Sequence, residues 1–209
     1  MLILPSGWCK LVGGLGSLAS LAIAIFHLIS FDPLTQTVLN SSIDKMAFGL
    51  TLNFGYDSLG LVMIMLTNAI IPLILLSNWN RELAGNKLFT ALVFFMQLGL
   101  LGVFTAQDGI MFYIFWEFTL LPIFLILYWF GAKENNKVLF KFFIYTLVGS
   151  LAMLLSFIAL GINAQSFAYQ DLVNVQLSQK MACWVMSGFL LAFAIKIPLF
   201  PFHTWQPAT

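Results

Sequence analysis

The chain has 209 residues, of which 61% are hydrophobic, 16% are aromatic and only 8% are charged. Soluble domains carry about 25% charged residues, so this chain has too little charge to cover the surface of an ordinary soluble domain. Its hydrophobicity excludes intrinsic disorder. A formal net charge of +1 offers no basic surface for nucleic acids. A lipid bilayer is therefore the solvent that fits this composition.

Six apolar stretches are long enough for membrane-spanning helices, which need about 20 residues. In chain order they cover residues 11–30, 59–77, 88–106, 109–130, 138–161 and 181–202. These runs are continuous, whereas the strands of membrane barrels alternate over segments of about 10 residues. The sequence therefore predicts an all-α integral membrane protein that forms a single membrane domain over residues 1–209.

The distribution of cations predicts the orientation of the chain. With the start of the first helix in the cytoplasm, that side holds Lys10, Arg81, Lys87, Lys133, Lys137 and Lys141. The opposite side holds only Lys45 and Lys180. The positive-inside rule thus predicts a cytoplasmic N-terminus. The first apolar run is too long for a signal peptide and lacks a clear cleavage site, so we expect it to remain as an anchor.

The sequence offers no convincing motif for a metal or a cofactor. Cys9 and Cys183 are far apart and lack the spacing of zinc, iron–sulfur or redox sites. Residues 14–19 match a dinucleotide-binding pattern formally, but they lie inside an apolar span and do not follow a strand. We expect His27 to be structural. Any redox cofactors would then be bound by other chains.

Most acidic residues in the predicted bundle lie near helix ends, where water can solvate them; these are Asp57, Asp108 and Glu134. Glu117 and Lys196 differ because each lies inside an apolar span. An ionisable residue at the bilayer centre costs about 2.5–3.5 kcal/mol on insertion scales, so it needs a partner or water. A salt bridge between helices is one explanation. A proton relay is the other, because a buried carboxyl and a buried amine both tend toward neutrality.

The residues around Lys196 favour the relay. Pro198 and Pro201 have no N–H groups, so we expect a helix break that deprives the carbonyls of Ala194 and Ile197 of their helical donors. A break of this kind can hold water deep in the bilayer. His203 follows within two turns, and its unperturbed pKa of about 6.5 suits a proton shuttle.

Two further residues complete the set of candidates. Tyr113 lies on the same helical face as Glu117, because the two are four residues apart. Lys141 opens the next predicted span near the cytoplasmic surface. It either reaches the lipid headgroups with its amine or passes protons toward the interior.

Four segments in the same order resemble one known family. Residues 54–60 read FGYDSLG, 115–122 read FWEFTLLP, 141–150 read KFFIYTLVGS and 194–205 read AIKIPLFPFHTW. Together they resemble the proton-translocating antiporter-like membrane subunits of respiratory complex I, an NADH-quinone oxidoreductase. The subunit M (chain 4) type is the best fit, because a proline follows the glutamate after five residues. The resemblance extends from about residue 50 to the end of the chain.

The resemblance implies roles for these residues and for partners. Glu117 and Lys196 would form the charged pair of a proton half-channel, with Lys196 in a broken helix and His203 on the hydrophilic axis of the membrane arm. NADH, flavin, iron–sulfur clusters and quinone would be bound by partner subunits, and none by this chain. The chain would join other complex I membrane subunits in a hetero-oligomer of the bacterial inner membrane.

Members of this family have about fourteen helices in two inverted repeats with flanking helices. We therefore expect residues 1–209 to be an N-terminal fragment that lacks the second half-channel. Two other interpretations stay open at this point. One is a subunit of a multisubunit cation/proton antiporter or a membrane-bound hydrogenase, and the other is a structural membrane protein without transport.

Overall fold

The computed structural model describes residues 6–31, 39–43, 52–79, 86–131 and 136–208. Internal contacts divide the chain into two compact units, residues 1–106 and residues 107–209. The single membrane domain expected from the sequence stays a prediction. Both units consist mainly of long apolar helices, which confirms the predicted all-α membrane class.

The described residues of the first unit form three long helices and two short paired strands. They are α1 (Ser6–Ser30), β1 (Leu39–Ile43), β2 (Leu52–Tyr56), α2 (Ser58–Ser77) and α3 (Lys87–Thr105). The antiparallel pairing of β1 with β2 was not predicted from the sequence. α2 packs against both α1 and α3. His27 was expected to be structural, and its Nδ1 lies 2.7 Å from the hydroxyl of Tyr56.

Side-chain caps explain where α2 and α3 begin. The Asp57 carboxylate accepts a hydrogen bond of 2.7 Å from the N–H of Gly60. The Asn86 side chain accepts bonds from the first turn of α3, at 2.9 Å from Leu88 and 3.3 Å from Phe89. Such caps satisfy N–H groups that have no partner within the helix. Asp57 therefore has the exposed helix-end position expected from the sequence.

The second unit is built around one long central helix. Its elements are α4 (Gly109–Phe130), α5 (Asn136–Ala164), α6 (Tyr169–Asn174), α7 (Gln179–Lys196) and a 3-10 helix (Phe202–Ala208). α5 packs against α4 and α7. Small residues allow α7 to approach closely: a Cβ on Gly188 would overlap the Ser156 hydroxyl and lie 2.9 Å from the oxygen of Ala152.

Five helices in the described ranges are long and apolar enough to cross a membrane. They cover Trp8–Ser30, Ser58–Ser77, Lys87–Thr105, Gly109–Phe130 and Val138–Ala164. These match the first five predicted spans to within a few residues. The predicted sixth span, residues 181–202, is not among them. α7 ends at Lys196 and is followed by turns, because Pro198 cannot donate the next helical hydrogen bond.

Candidate functional site

The structure brings together the two charged residues that the sequence places inside apolar spans. Glu117 lies in the N-terminal half of α4, and Lys196 is the last residue of α7. Both side chains are half-buried. The carboxylate of Glu117 interacts electrostatically with the Lys196 ammonium. The two helices therefore place opposite charges near each other within the second unit.

The ammonium of Lys196 lies over the indole ring of Trp116. Its Nζ lies 4.9 Å from the centre of the indole ring, within the range of a cation–π interaction. Trp116 precedes Glu117, so the same turn of α4 supplies both the ring and the carboxylate. Within the described part of the chain, no carboxylate lies within the 4.0 Å of a direct salt bridge to this ammonium. The pair is therefore coupled at a distance and is not locked together.

A second polar contact joins the Glu117 region to α5. Tyr113, one turn before Glu117, interacts electrostatically with its carboxylate and with the side chain of Ser150. Ser150 is buried, with 2% of its surface exposed. The Ser150 hydroxyl donates a hydrogen bond of 2.9 Å to the oxygen of Leu147. The sequence indicated Tyr113 through its helical spacing, but it gave no means of selecting Ser150.

The polypeptide after Lys196 satisfies carbonyls that the helix break frees. The N–H of Leu199 donates to the oxygen of Ala194 at 2.8 Å and so replaces the missing donor of Pro198. Leu199 would otherwise have bonded Ile195. The carbonyl of Ile195 instead accepts a bond of 3.1 Å from the indole N–H of Trp205. The carbonyl of Ala194 is thus paired with protein and does not need the water that the sequence suggested.

The other two candidates are Lys141 and His203, and Lys141 reaches the 3-10 helix that contains His203. Among the described residues, no contact joins either of them to Glu117 or Lys196. Lys141 donates a hydrogen bond of 3.2 Å to the oxygen of Thr204, and its Nζ lies 5.7 Å from the ring of Tyr145. The neighbouring His203 stacks on Phe200 with a centroid distance of 5.6 Å. Its Nδ1 is buried and has no hydrogen-bond partner among the described residues.

The position of Asp108 differs from the sequence prediction. We expected a carboxylate solvated at a helix end, but the side chain is only 4% exposed. Its Oδ1 accepts a bond of 2.7 Å from the N–H of Met111 and caps α4, whereas Oδ2 has no partner in the described ranges. Burial raises the pKa of Asp108, although backbone hydrogen bonds from Met111 and Ile110 lower it. Burial and the nearby Asp108 charge both raise the pKa of Tyr169.

Glu134 lies outside the described residues, so its predicted position at a helix end is not tested. Cys9 is buried and Cys183 is exposed, and neither forms a disulfide. In the ranges that the structure describes, no three His, Cys, Asp or Glu side chains come together in a way that could hold a metal ion.

Comparisons with known proteins identify the class to which this fold corresponds. A family profile described as NADH:quinone oxidoreductase/Mrp antiporter, TM matches residues 106–209. F420H2 dehydrogenase subunit M of Methanosarcina mazei is 34% identical over 206 residues, which cover 93% of this chain and 42% of the relative. NADH-ubiquinone oxidoreductase chain 4 of Metridium senile is 37% identical over 152 residues, or 72% of this chain and 31% of the relative.

Solved structures agree with these relatives. A chain of respiratory complex I from Thermus thermophilus with bound NADH matches with a TM-score of 0.84 and 30% identity, covering 98% of this chain and 42% of the other. A chain of the Mrp complex from Dietzia sp. matches with a TM-score of 0.83 at 18% identity, and this likeness concerns the fold alone. The present chain spans less than half the length of these relatives.

These findings define an integral membrane protein with an antiporter-like fold. The chain belongs to the NADH:quinone oxidoreductase/Mrp antiporter transmembrane family, in agreement with the resemblance to antiporter-like subunits of the subunit M (chain 4) type.

Proposed function

We propose that this chain forms a proton half-channel in an antiporter-like membrane subunit of a complex I-type quinone oxidoreductase. Glu117 and Lys196 carry the proposal, since they are opposite charges that interact within an apolar helical unit without a direct salt bridge. A locked ion pair would favour a structural staple. A separated pair can exchange a proton and change its mutual attraction, which is what a relay requires.

Each candidate has a defined part in this proposal. Glu117 and Lys196 exchange protons with water that enters the half-channel, and the charge on one changes the proton affinity of the other. His203 takes part as a shuttle through its buried and unpartnered Nδ1. Lys141 supports the same region, because it bonds the backbone next to His203. The break at Pro198 and Pro201 ends α7 at Lys196 and gives its amine room to move.

The energy for transport comes from quinone reduction on partner subunits in this proposal. NADH or another reduced donor, flavin, iron–sulfur clusters and quinone are all bound by those partners, and this chain holds none of them. The subunit functions in a hetero-oligomer with other membrane subunits of the complex. We place it in the bacterial inner membrane with its N-terminus in the cytoplasm, because the cations flank the helices unequally.

The decisive test replaces the relay carboxyl in inverted membrane vesicles. Glu117→Gln keeps the size of the side chain but removes its titration. We expect it to abolish both vesicle acidification and the coupled oxidation of NADH, or of F420H2 if that is the donor, while a native gel shows the assembled complex. Asp171→Asn makes the same chemical change on an exposed residue of α6 and should leave both rates unchanged. Normal acidification by the assembled Glu117→Gln complex would overturn the proposal.

A structural staple predicts a different result for a double variant. Replacing a buried ion pair by two apolar residues is often neutral or stabilising for the fold. Glu117→Leu combined with Lys196→Leu should therefore assemble in either case. If the double variant also pumps normally, Glu117 and Lys196 only hold helices together.

The family also includes Mrp-type antiporters, so the vesicles need one further comparison. Acidification driven by a sodium gradient, with no electron donor added, would assign the chain to a cation/proton antiporter. Acidification that requires the electron donor and is insensitive to a sodium gradient supports the oxidoreductase subunit.

A further inference from the structure

We propose that Trp116 is a positioning residue that holds the charged form of Lys196 over its indole ring and away from direct contact with Glu117. When Lys196 gives up its proton, this attraction ends and the neutral amine is free to leave the ring. The inference rests on the proposed proton transfer by Glu117 and Lys196, and it adds a residue that the charged pair alone does not define.

Packing fixes the position of the indole independently of the lysine. The ring of Phe112 lies 5.6 Å away, and the ring of Phe193 meets the indole edge to face at 6.0 Å. Trp116 also packs against the buried cluster that contains Met153 and Ala192. The indole is thus part of the core between α4, α5 and α7, so it does not have to be ordered by Lys196.

The spacing on α7 places the ammonium at this ring. Phe193 and Lys196 are three residues apart and share one face of the helix, and Trp116 contacts both. The Lys196 ammonium lies 4.9 Å from the centre of the indole, and tryptophan is the strongest of the aromatic partners for a cation. In the described ranges it makes no hydrogen bond that would compete with this contact.

The neighbouring titratable groups do not replace this interaction. From α4, Glu117 acts on Lys196 electrostatically, and Tyr113 is coupled to Glu117. From α5, Lys141 is bonded to the backbone of the 3-10 helix and lies near Tyr145. From the turn and the 3-10 helix, His203 stacks on Phe200. The indole therefore lies close to Lys196 and distinguishes its two protonation states, because the face of the ring attracts the ammonium and not the neutral amine.

Contact with an indole, in place of a salt bridge, affects how readily Lys196 exchanges its proton. A direct salt bridge in an apolar site would hold both charges tightly and slow their separation. The indole attracts the ammonium but carries no charge, so it supports the protonated lysine without forming such a pair. Loss of this attraction should make Lys196 release its proton at lower pH.

Fluorinated tryptophans test this directly, because each added fluorine weakens the attraction of the ring for a cation while the shape of the indole hardly changes. Tryptophans with one to four fluorines are introduced at position 116 of the full-length protein by suppression of an amber codon. Donor-driven acidification is then measured in inverted vesicles across a range of pH. Native gels report assembly.

We expect the alkaline limit of transport to move to lower pH step by step with fluorine number, by up to about one unit for the fully fluorinated ring. Trp116→Phe should lie within the same series and Trp116→Leu beyond it, provided both assemble. The same fluorinated residues at Trp129, which is 48% exposed on α4, should leave the pH profile unchanged.

An unchanged pH profile across the series at position 116, in assembled complexes, would overturn the role of Trp116. The proposed function would survive that result if Glu117→Gln still abolished acidification. Normal transport by Glu117→Gln would instead remove the proposed function, and the role of Trp116 with it.

Discussion

The indole N–H of Trp205 donates a hydrogen bond of 3.1 Å to the main-chain oxygen of Ile195, in the last turn of α7. This bond results from the change of register at Pro198. Leu199 donates to Ala194 in place of the proline, and the carbonyl of Ile195 is left for a side chain. Trp205 is held in position by a ring contact with Phe142 of α5 at 5.1 Å. The 3-10 helix thus secures the end of the helix that carries Lys196.

Trp205→Phe removes this bond but keeps an aromatic ring against Phe142. An unpaired buried carbonyl costs about 1–3 kcal/mol, so we expect the free energy of unfolding in detergent to fall by about 1–2 kcal/mol. Lys196 should also become less well positioned, which would slow proton transport. Thermal unfolding of the purified protein and vesicle acidification measure the two effects.

Trp184→Phe is the matched control, because Trp184 lies on α7, the helix that also carries Ile195, and is 69% exposed. Equal losses of stability in the two variants would mean that the bond to Ile195 contributes nothing specific.

The end of α7 shows how far the sequence predicts this site. Pro198 and its missing N–H indicate the break and the unpaired carbonyl of Ala194 from covalent chemistry alone. The donors that replace the missing N–H group cannot be predicted from the sequence. Leu199 bonds Ala194 only because the local register changes, and Trp205 reaches the carbonyl of Ile195 only after it packs against α5. The proximity of Glu117 to Lys196 could be expected, because isolated charges in apolar spans need partners. Trp116 could not be distinguished in this way from the chain's other tryptophans.

Asp108 should make stability depend on pH in a defined direction. Burial raises its pKa in the folded state above the ordinary value of 3.8. The folded state therefore binds this proton more tightly than the unfolded state. Its contribution to stability is fully present below pH 3.8 and is lost as the pH rises through the folded pKa.

Asp108→Asn keeps a good helix cap but cannot titrate. As the pH rises through this range, the unmodified protein loses the contribution of Asp108 and the Asn variant does not. We therefore expect the free energy of unfolding of the Asn variant to increase relative to that of the unmodified protein. Asp108→Ala should lose about 1 kcal/mol through loss of the cap. Chemical denaturation in detergent at a series of pH values checks both. A constant difference between the Asn variant and the unmodified protein would contradict the raised pKa.

Gly188 should not tolerate even one added methyl group. An alanine Cβ there would overlap the hydroxyl of Ser156, which itself donates bonds of 3.1 Å to Ala152 and Val185. Overpacking of this kind costs about 1–3 kcal/mol, and it would separate α7 from α5. We expect Gly188→Ala to lower both the unfolding temperature and proton transport. Gly16→Ala on α1 is the control, because its Cβ would meet Phe94 at an ordinary 3.5 Å. Similar behaviour of the two variants would argue against the close approach.

In the first unit, the buried side chain of Gln97 joins three helices through hydrogen bonds. Its amide nitrogen donates to Asn68 of α2 at 2.8 Å and to Ser20 of α1 at 3.1 Å. Gln97 and Asn68 are each only 3% exposed. Hydrogen bonds between membrane helices contribute about 0.6 kcal/mol on average and at most about 1.7 kcal/mol. The sequence gave no reason to select this glutamine, since its partners are 29 and 77 residues away.

Gln97→Met keeps the length of the side chain and removes both donated bonds. We expect the free energy of unfolding to fall by about 1–2 kcal/mol, because the Asn68 oxygen loses its donor in an apolar environment. Gln170→Met, on the exposed surface of α6, makes the same chemical change without this burial. Denaturation of the two variants side by side separates the network from the intrinsic effect of methionine. If Gln97→Met proved as stable as Gln170→Met, packing alone would hold α1, α2 and α3 together, and the amide network would add only specificity of alignment.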